Sequence, residues 1–158
     1  MSGSSRYVAG LGAGLCLGLM AATAGAQGTI GPSLAEAKNA LAATEAAAVE
    51  MGVGLSCAVV DSRGTLVAMT RMDSARYFTA NVAVGKARAS AAFGAPSGGL
   101  ARVGSLGLER VLDGGEMLFV QGAVPITKDG QLVGAVGCSG ASAQQDEDAA
   151  NAGVEAMQ

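Results

Sequence analysis

The chain has 158 residues, half of them apolar, 15% charged and 3% aromatic, with 25 glycines and a formal net charge of −3; this excludes a disordered, collagen-like or disulfide-dense protein and bounds it to one compact domain. Ten basic residues against 13 acidic ones, with no basic block, leave no electrostatic footprint for nucleic acid. Histidine is absent, which removes the Ser-His-Asp triad, the Cys-His dyad, the usual zinc ligand and the usual proximal haem ligand.

Residues 1–26 read as a secretory signal peptide: a short polar start with Arg6, an apolar run over residues 8–22, and Ala24-Gly25-Ala26 before Gln27. The apolar run is shorter than the roughly 20 residues that span a bilayer, so no stable membrane anchor is expected. Cys16 follows Leu15, where a lipoprotein signal would need a small side chain. Cleavage near Ala26-Gln27 would release a periplasmic or secreted domain over residues 27–158. Removing Arg6 leaves 9 basic against 13 acidic groups, a net charge of −4. Export makes pairing of Cys57 and Cys138 a question. Both lie in apolar, strand-like segments and read as small buried hydrophobes. A bridge needs a Cα spacing of roughly 4.4–6.8 Å, which argues against one between adjacent central strands.

Along the rest of the chain, Ser33-Leu34-Ala35-Glu36 fits a capping box opening an alanine-rich helix to Met51, with Gly52 as its stop. Residues 55–60 and 65–72 flank the turn Asp61-Ser62-Arg63-Gly64 and predict a β-hairpin. Residues 75–93, alanine-rich and ending at Gly94-Ala95-Pro96, predict a second helix. The glycine-rich stretch 97–115 suggests a short helix between loops, with the character of a lid. Residues 117–121, 123–127 and 131–139 predict three strands, the last two joined by Lys128-Asp129-Gly130. Ser142-Ala143-Gln144-Gln145 is a second capping box, and acids at 146–148 suit a helix N-terminus. The order predicts an α+β fold, one antiparallel sheet with helices on its faces.

Candidate chemistry begins at Arg71-Met72-Asp73, where a strand gives way to a helix. Arg71 suits a carboxylate, or simply an ion pair with Asp73. Lys86, amid alanines, is either a desolvated functional amine or a snorkelling side chain, and Arg88 would face elsewhere on the helix. Gly137-Cys138-Ser139-Gly140 leads into a capped helix where amides and the Ser139 hydroxyl could cradle an anion; close packing explains its glycines equally. Gly122-Ala123-Val124-Pro125-Ile126 marks a strand start with room for close approach. Met69, Met72 and Met117 are soft donors or core filler. No metal site follows from the spacing.

Ala58-Val59-Val60-Asp61-Ser62-Arg63-Gly64, Arg71-Met72-Asp73-Ser74-Ala75, Lys86-Ala87-Arg88-Ala89-Ser90-Ala91, Gly122 to Ile126, Asp129-Gly130 and Gly137-Cys138-Ser139-Gly140-Ala141 with Gln145-Asp146 occur in the order and spacing of one family. Over about residues 33–157 the chain resembles the GlcG/HbpS family. The resemblance implies an α-β-α layered, profilin-like fold with a five-stranded antiparallel sheet, also seen in the C-terminal domain of PduO-type proteins. It further implies a homo-oligomer and binding of haem outside the cell or at its envelope. Ser74, Ala123 and Ser90 depart from the pattern. With no histidine, iron would have to be met by Tyr77, a methionine, Lys86, a hydroxyl such as Ser139, or water.

Two functional expectations result. One is an exported binding module for haem or another planar, carboxylated ligand, with Arg71 and Lys86 pairing the acid groups and Asp73, Gly122, Pro125, Ser139 and Asp146 nearby. The alternative is an enzyme of small carboxylic acids, with Lys86 as base or Schiff-base amine, Arg71 holding the substrate and Asp146 orienting or relaying a proton.

Overall fold

The computed structural model describes residues 31–107 and 114–158. The leader expected at 1–26 and part of the predicted lid lie outside the described residues. Helix α1 (Leu34–Glu50) opens on the capping box: Ser33 Oγ accepts from Glu36 N–H, and the Glu36 carboxylate accepts from Ser33 N–H at 2.8 Å, a device worth about 1 kcal/mol. Lys128 also pairs with Glu36. Its hydrogen bond, with those from Ser33, lowers the Glu36 pKa from 4.5 to about 2.

Strands β1 (Ser56–Asp61) and β2 (Leu66–Arg71) form the first hairpin. Asp61 closes its turn by accepting from the N–H groups of Arg63 and Thr65 at 2.9 and 2.8 Å. Helix α2 (Thr79–Phe93) starts four residues later than the sequence suggested. Residues 75–78 turn instead, with Ala75 N–H on Met72 O and Thr79 N–H on Arg76 O, and no side chain caps the helix. A 3₁₀ turn (Ser97–Leu100) and the one-turn helix α3 (Ala101–Gly104) follow. Strands β3 (Ala123–Lys128) and β4 (Gln131–Ser139) form the second hairpin. Asp129 and Gly130 both have positive φ there, 51° and 75°, the requirement of a tight two-residue hairpin turn. Helix α4 (Ala143–Glu155) opens on the second capping box, Ser142 with Gln145.

The sheet is antiparallel in the order β2-β1-β4-β3. Side-chain alternation splits the core into two layers. Val59, Val136, Cys57, Cys138, Val124 and Ile126 pack with α1 and α4, while Val60 and Ala135 pack with Ala87 and Ala91 of α2. Helices therefore cover both faces, as the α+β reading required.

Two expectations are corrected. Residues 117–121, predicted as a fifth strand, pair with no strand among the described residues. Their main-chain groups are satisfied elsewhere: Leu118 N–H donates to Gly85 O at 3.0 Å and Val120 O accepts from Ser97 Oγ at 2.7 Å. A helix carbonyl thus takes the bond that a sheet neighbour would have taken.

The second correction is a disulfide between Cys57 and Cys138, with S–S 2.14 Å and Cα–Cα 4.1 Å. Both cysteines are buried as read. Cys138 N–H donates to Gly122 O and Cys138 O accepts from Lys86, so both main-chain groups turn away from β1. Cys57 and Cys138, register partners in β1 and β4, therefore form a non-hydrogen-bonded pair, the kind in which facing side chains come closest. Such a pair brings its Cα atoms to about 4.5 Å, at the short end of the bridging range.

Candidate functional site

Lys86, Gly122 and Asp146, separated widely in sequence, meet in one buried cluster. Lys86 lies on the inner stripe of α2 with Thr79, Ala83, Ala87 and Ser90, all buried. Its Nζ stands 2.7 Å from Asp146 Oδ2, and both side chains are 4% exposed. Nζ also donates to Cys138 O at 3.1 Å, and Asp146 Oδ1 accepts from Ala141 N–H at 3.0 Å. Gly122, at φ 130°, closes the cluster: a Cβ there would lie 2.6 Å from Lys86 Nζ and 2.8 Å from Asp146 Cβ. Only a residue without a side chain permits that approach. The pair joins the helix on one face of the sheet to a helix on the other. A Schiff-base or general-base role needs an amine that reaches substrate; this one is consumed by a carboxylate and a carbonyl beneath main chain.

The remaining sequence candidates make none of that pair's hydrogen bonds. Arg71, Ser56 and Ser139 form one row across β2, β1 and β4. Ser56 Oγ lies 2.8 Å from Thr79 Oγ1, so the row faces α2. Ser139 is buried, whereas Arg71 and Asp73 are exposed. Ion pairs among the described residues join Lys86 to Asp146, Arg88 to Glu116 and Lys128 to Glu36, so Arg71 and Asp73 do not pair. Pro125 is half-buried in β3. Tyr77 is 83% exposed and stacks edge-on against Phe78. Met72 Sδ accepts from Leu55 N–H at 3.4 Å.

The cavity that suits a planar ligand lies between β2, α2 and residues 115–118. It holds about 550 Å³ and is walled by Leu66, Met69, Val82, Val84 and Leu118, with Arg88 at its polar end; that volume is in the range of small-molecule sites. Gly85 creates its floor, since a Cβ there would lie 2.8 Å from Leu118 Cγ and 2.9 Å from Glu116 O. Arg88 is held by Nε donating to Gly64 O at 3.2 Å and by Nη1 on Glu116. An adjoining hollow of about 470 Å³ shares Leu66 and Arg88 and adds Met117. Leu66, Met69 and Arg71 partner Val60, Ala58 and Ser56, so all three face α2. Arg71 therefore continues the strand row that carries Met69.

Arg88 faces away from Lys86, as the two-residue spacing predicts. The same geometry aims it into the groove: Asn81, Val84, Gly85 and Arg88 follow helical three- and four-residue spacing. A third cavity, about 560 Å³, is lined by Phe119, Gln121 and Glu147 and by no cation, and is unsuited to an anionic ligand. Among the described residues, no group of three or more His, Cys, Asp or Glu could hold a metal ion, and no helix is long and apolar enough to cross a membrane.

With this geometry in view, a family model described as haem degrading protein HbpS-like matches residues 33–155. Protein GlcG of Escherichia coli K12 is 34% identical over 107 residues, covering 63% of this chain and 74% of GlcG. The crystal structure of HbpS is similar with a TM-score of 0.73 at 31% identity, over 79% of this chain and 89% of that one. A PduOC–haem complex is similar with a TM-score of 0.72 at 27% identity, over 80% and 94%.

Proposed function

Because the chain belongs to the HbpS-like family, we propose that it binds a planar, carboxylated ligand of the haem class in the groove between β2 and α2. The observation that carries this reading is the groove itself: about 550 Å³ with aliphatic walls and a positioned guanidinium. The solved PduOC complex, which holds haem in a similar fold, supports the ligand class.

The residues present fit that group. Leu66, Val82 and Leu118 offer apolar cover, and Arg88 presents a fork to a propionate, with Arg71 beyond Met69 as a second cation. With no histidine in the chain and Cys57 and Cys138 joined to each other, the Met69 thioether is the soft donor in the groove. Haem supplies redox-active iron when bound; this chain's residues supply cover, charge pairing and one thioether.

Binding outside the cytoplasm belongs to the same proposal: residues 1–26 act as a leader cleaved near Ala26-Gln27, leaving a periplasmic or secreted domain. A buried disulfide in that domain supports an oxidising destination. Assembly as a homo-oligomer is supported by exposed Leu34 and Val49 on α1, an alanine-rich helix open to close packing.

A hemin titration of the chain beginning at Gln27, followed by absorbance, tests the proposal. A shifted Soret band saturating near one equivalent, weakened by Arg88→Gln and Arg71→Ala, is the expected result. Met69→Leu should alter the band's position while preserving the groove's shape. An unshifted or non-saturating spectrum refutes haem as the ligand.

A further inference from the structure

The guanidinium at the end of the groove already holds a carboxylate of the chain itself. Arg88 is anchored through Nε on Gly64 O and is 26% exposed in its side chain; Glu116, which pairs with its Nη1, is 63% exposed. Glu116 follows Gly114 and Gly115, whose φ values are 62° and 91° and around which an added Cβ would meet nothing within 4 Å. Two residues beyond Glu116, Leu118 N–H is fixed on Gly85 O. The arginine is thus preorganised by the fold, whereas its acid partner is an exposed side chain beside two glycines with open space around them. An ion pair of this exposure contributes little in water.

We propose that Glu116 is a built-in competitor for the ligand's acid group, so that the groove selects amphipathic carboxylates over neutral planar molecules of the same shape. A ligand carboxylate takes the place of Glu116 on Arg88 while its apolar body lies against Leu66, Met69 and Val82. A neutral molecule leaves the Arg88–Glu116 pair in place and gains no charge pairing. Removing the Glu116 charge therefore strengthens binding of an acid, which a merely structural ion pair would not do. The inference rests on the groove being the ligand site, and its test separates the two claims.

Fluorescence titrations with 1-pyrenebutyric acid and its neutral counterpart 1-pyrenebutanol provide that test on the wild-type protein, Glu116→Gln, Arg88→Gln and Arg88→Lys. Wild type should bind the acid more tightly than the alcohol. Glu116→Gln should tighten the acid about fivefold and leave the alcohol within about twofold, as expected for loss of one exposed competing charge. Arg88→Gln should bring the acid to the level of the alcohol, and Arg88→Lys, which keeps the charge, should retain part of the preference. Equal tightening of both probes by Glu116→Gln, or no change for the acid, overturns the competitor role and leaves the groove standing. Failure of wild type to bind the acid saturably overturns the groove and the competitor together.

Discussion

Reduction of the Cys57–Cys138 bridge should destabilise the domain substantially. The two cysteines are 81 residues apart, and closing a loop of that length removes about 4.5 kcal/mol of unfolded-chain entropy at 25 °C. With an unfolding entropy of about 2.1 cal/mol/K per residue over the matched span 33–155, this corresponds to a fall of about 17 °C in Tm. Two contributions act around that figure. The bridge spans neighbouring strands already in register, so the native state needs little rearrangement to hold it. Both sulfurs are buried against α1 and α4, so Cys57→Ala with Cys138→Ala adds a cavity cost that reduction alone does not. Differential scanning calorimetry of oxidised and reduced protein, with the double variant alongside, measures all three states. The expected order of Tm is oxidised, reduced, double variant. Two thiols titrating in denaturant without reductant, or a Tm moved by less than about 3 °C on reduction where the chain-entropy figure demands several times that, would refute the reasoning.

Asp146→Asn leaves the Lys86 ammonium buried with the Cys138 carbonyl as its remaining strong partner and should cost about 3–5 kcal/mol in urea unfolding; a loss below about 1 kcal/mol would mean that water reaches the pair. Gly122→Ala should be damaging in the same assay, because its methyl group would sit 2.6 Å from Lys86 Nζ at a positive φ, and a neutral result would contradict the closure described. For Glu36 the folded pKa of about 2 lies below the ordinary 4.5, so its stabilising contribution is present above pH 4.5 and is lost as pH falls towards 2. Glu36→Gln should therefore flatten the stability profile between those values, and a slope identical to wild type would exclude the pairing with Lys128.

The groove and the buried pair were legible to different degrees. Lys86 and Asp146 stood out as charged residues in apolar or capped settings, yet 60 residues separate them, and no local pattern links two such positions. Arg71 was visible at a strand end. Arg88 was not, because its value depends on what covers its side of α2, namely β2 and residues 115–118. Residues 117–121 read as a strand by composition; Leu118 lies on the helix instead because Gly85 lets it approach.

What the amino-acid order determines alone is the chemistry that acts within a few residues. Both capping boxes, the Asp61 turn and the Asp129-Gly130 turn close over spans of two to four residues, so their side chains and φ preferences specify them without the rest of the chain. The absence of histidine likewise restricts the chemistry whatever the fold. Register and cover belong to the tertiary structure. A one-residue slip of β1 against β4 would place Cys57 and Cys138 on opposite faces, and only the observed pairing brings them to 4.1 Å. Likewise, it is the packing of α2 and α4 on opposite faces of the sheet that joins Lys86 to Asp146 and leaves Arg88 at the mouth of a groove. These outcomes depend on burial summed over distant segments, which no local spacing encodes.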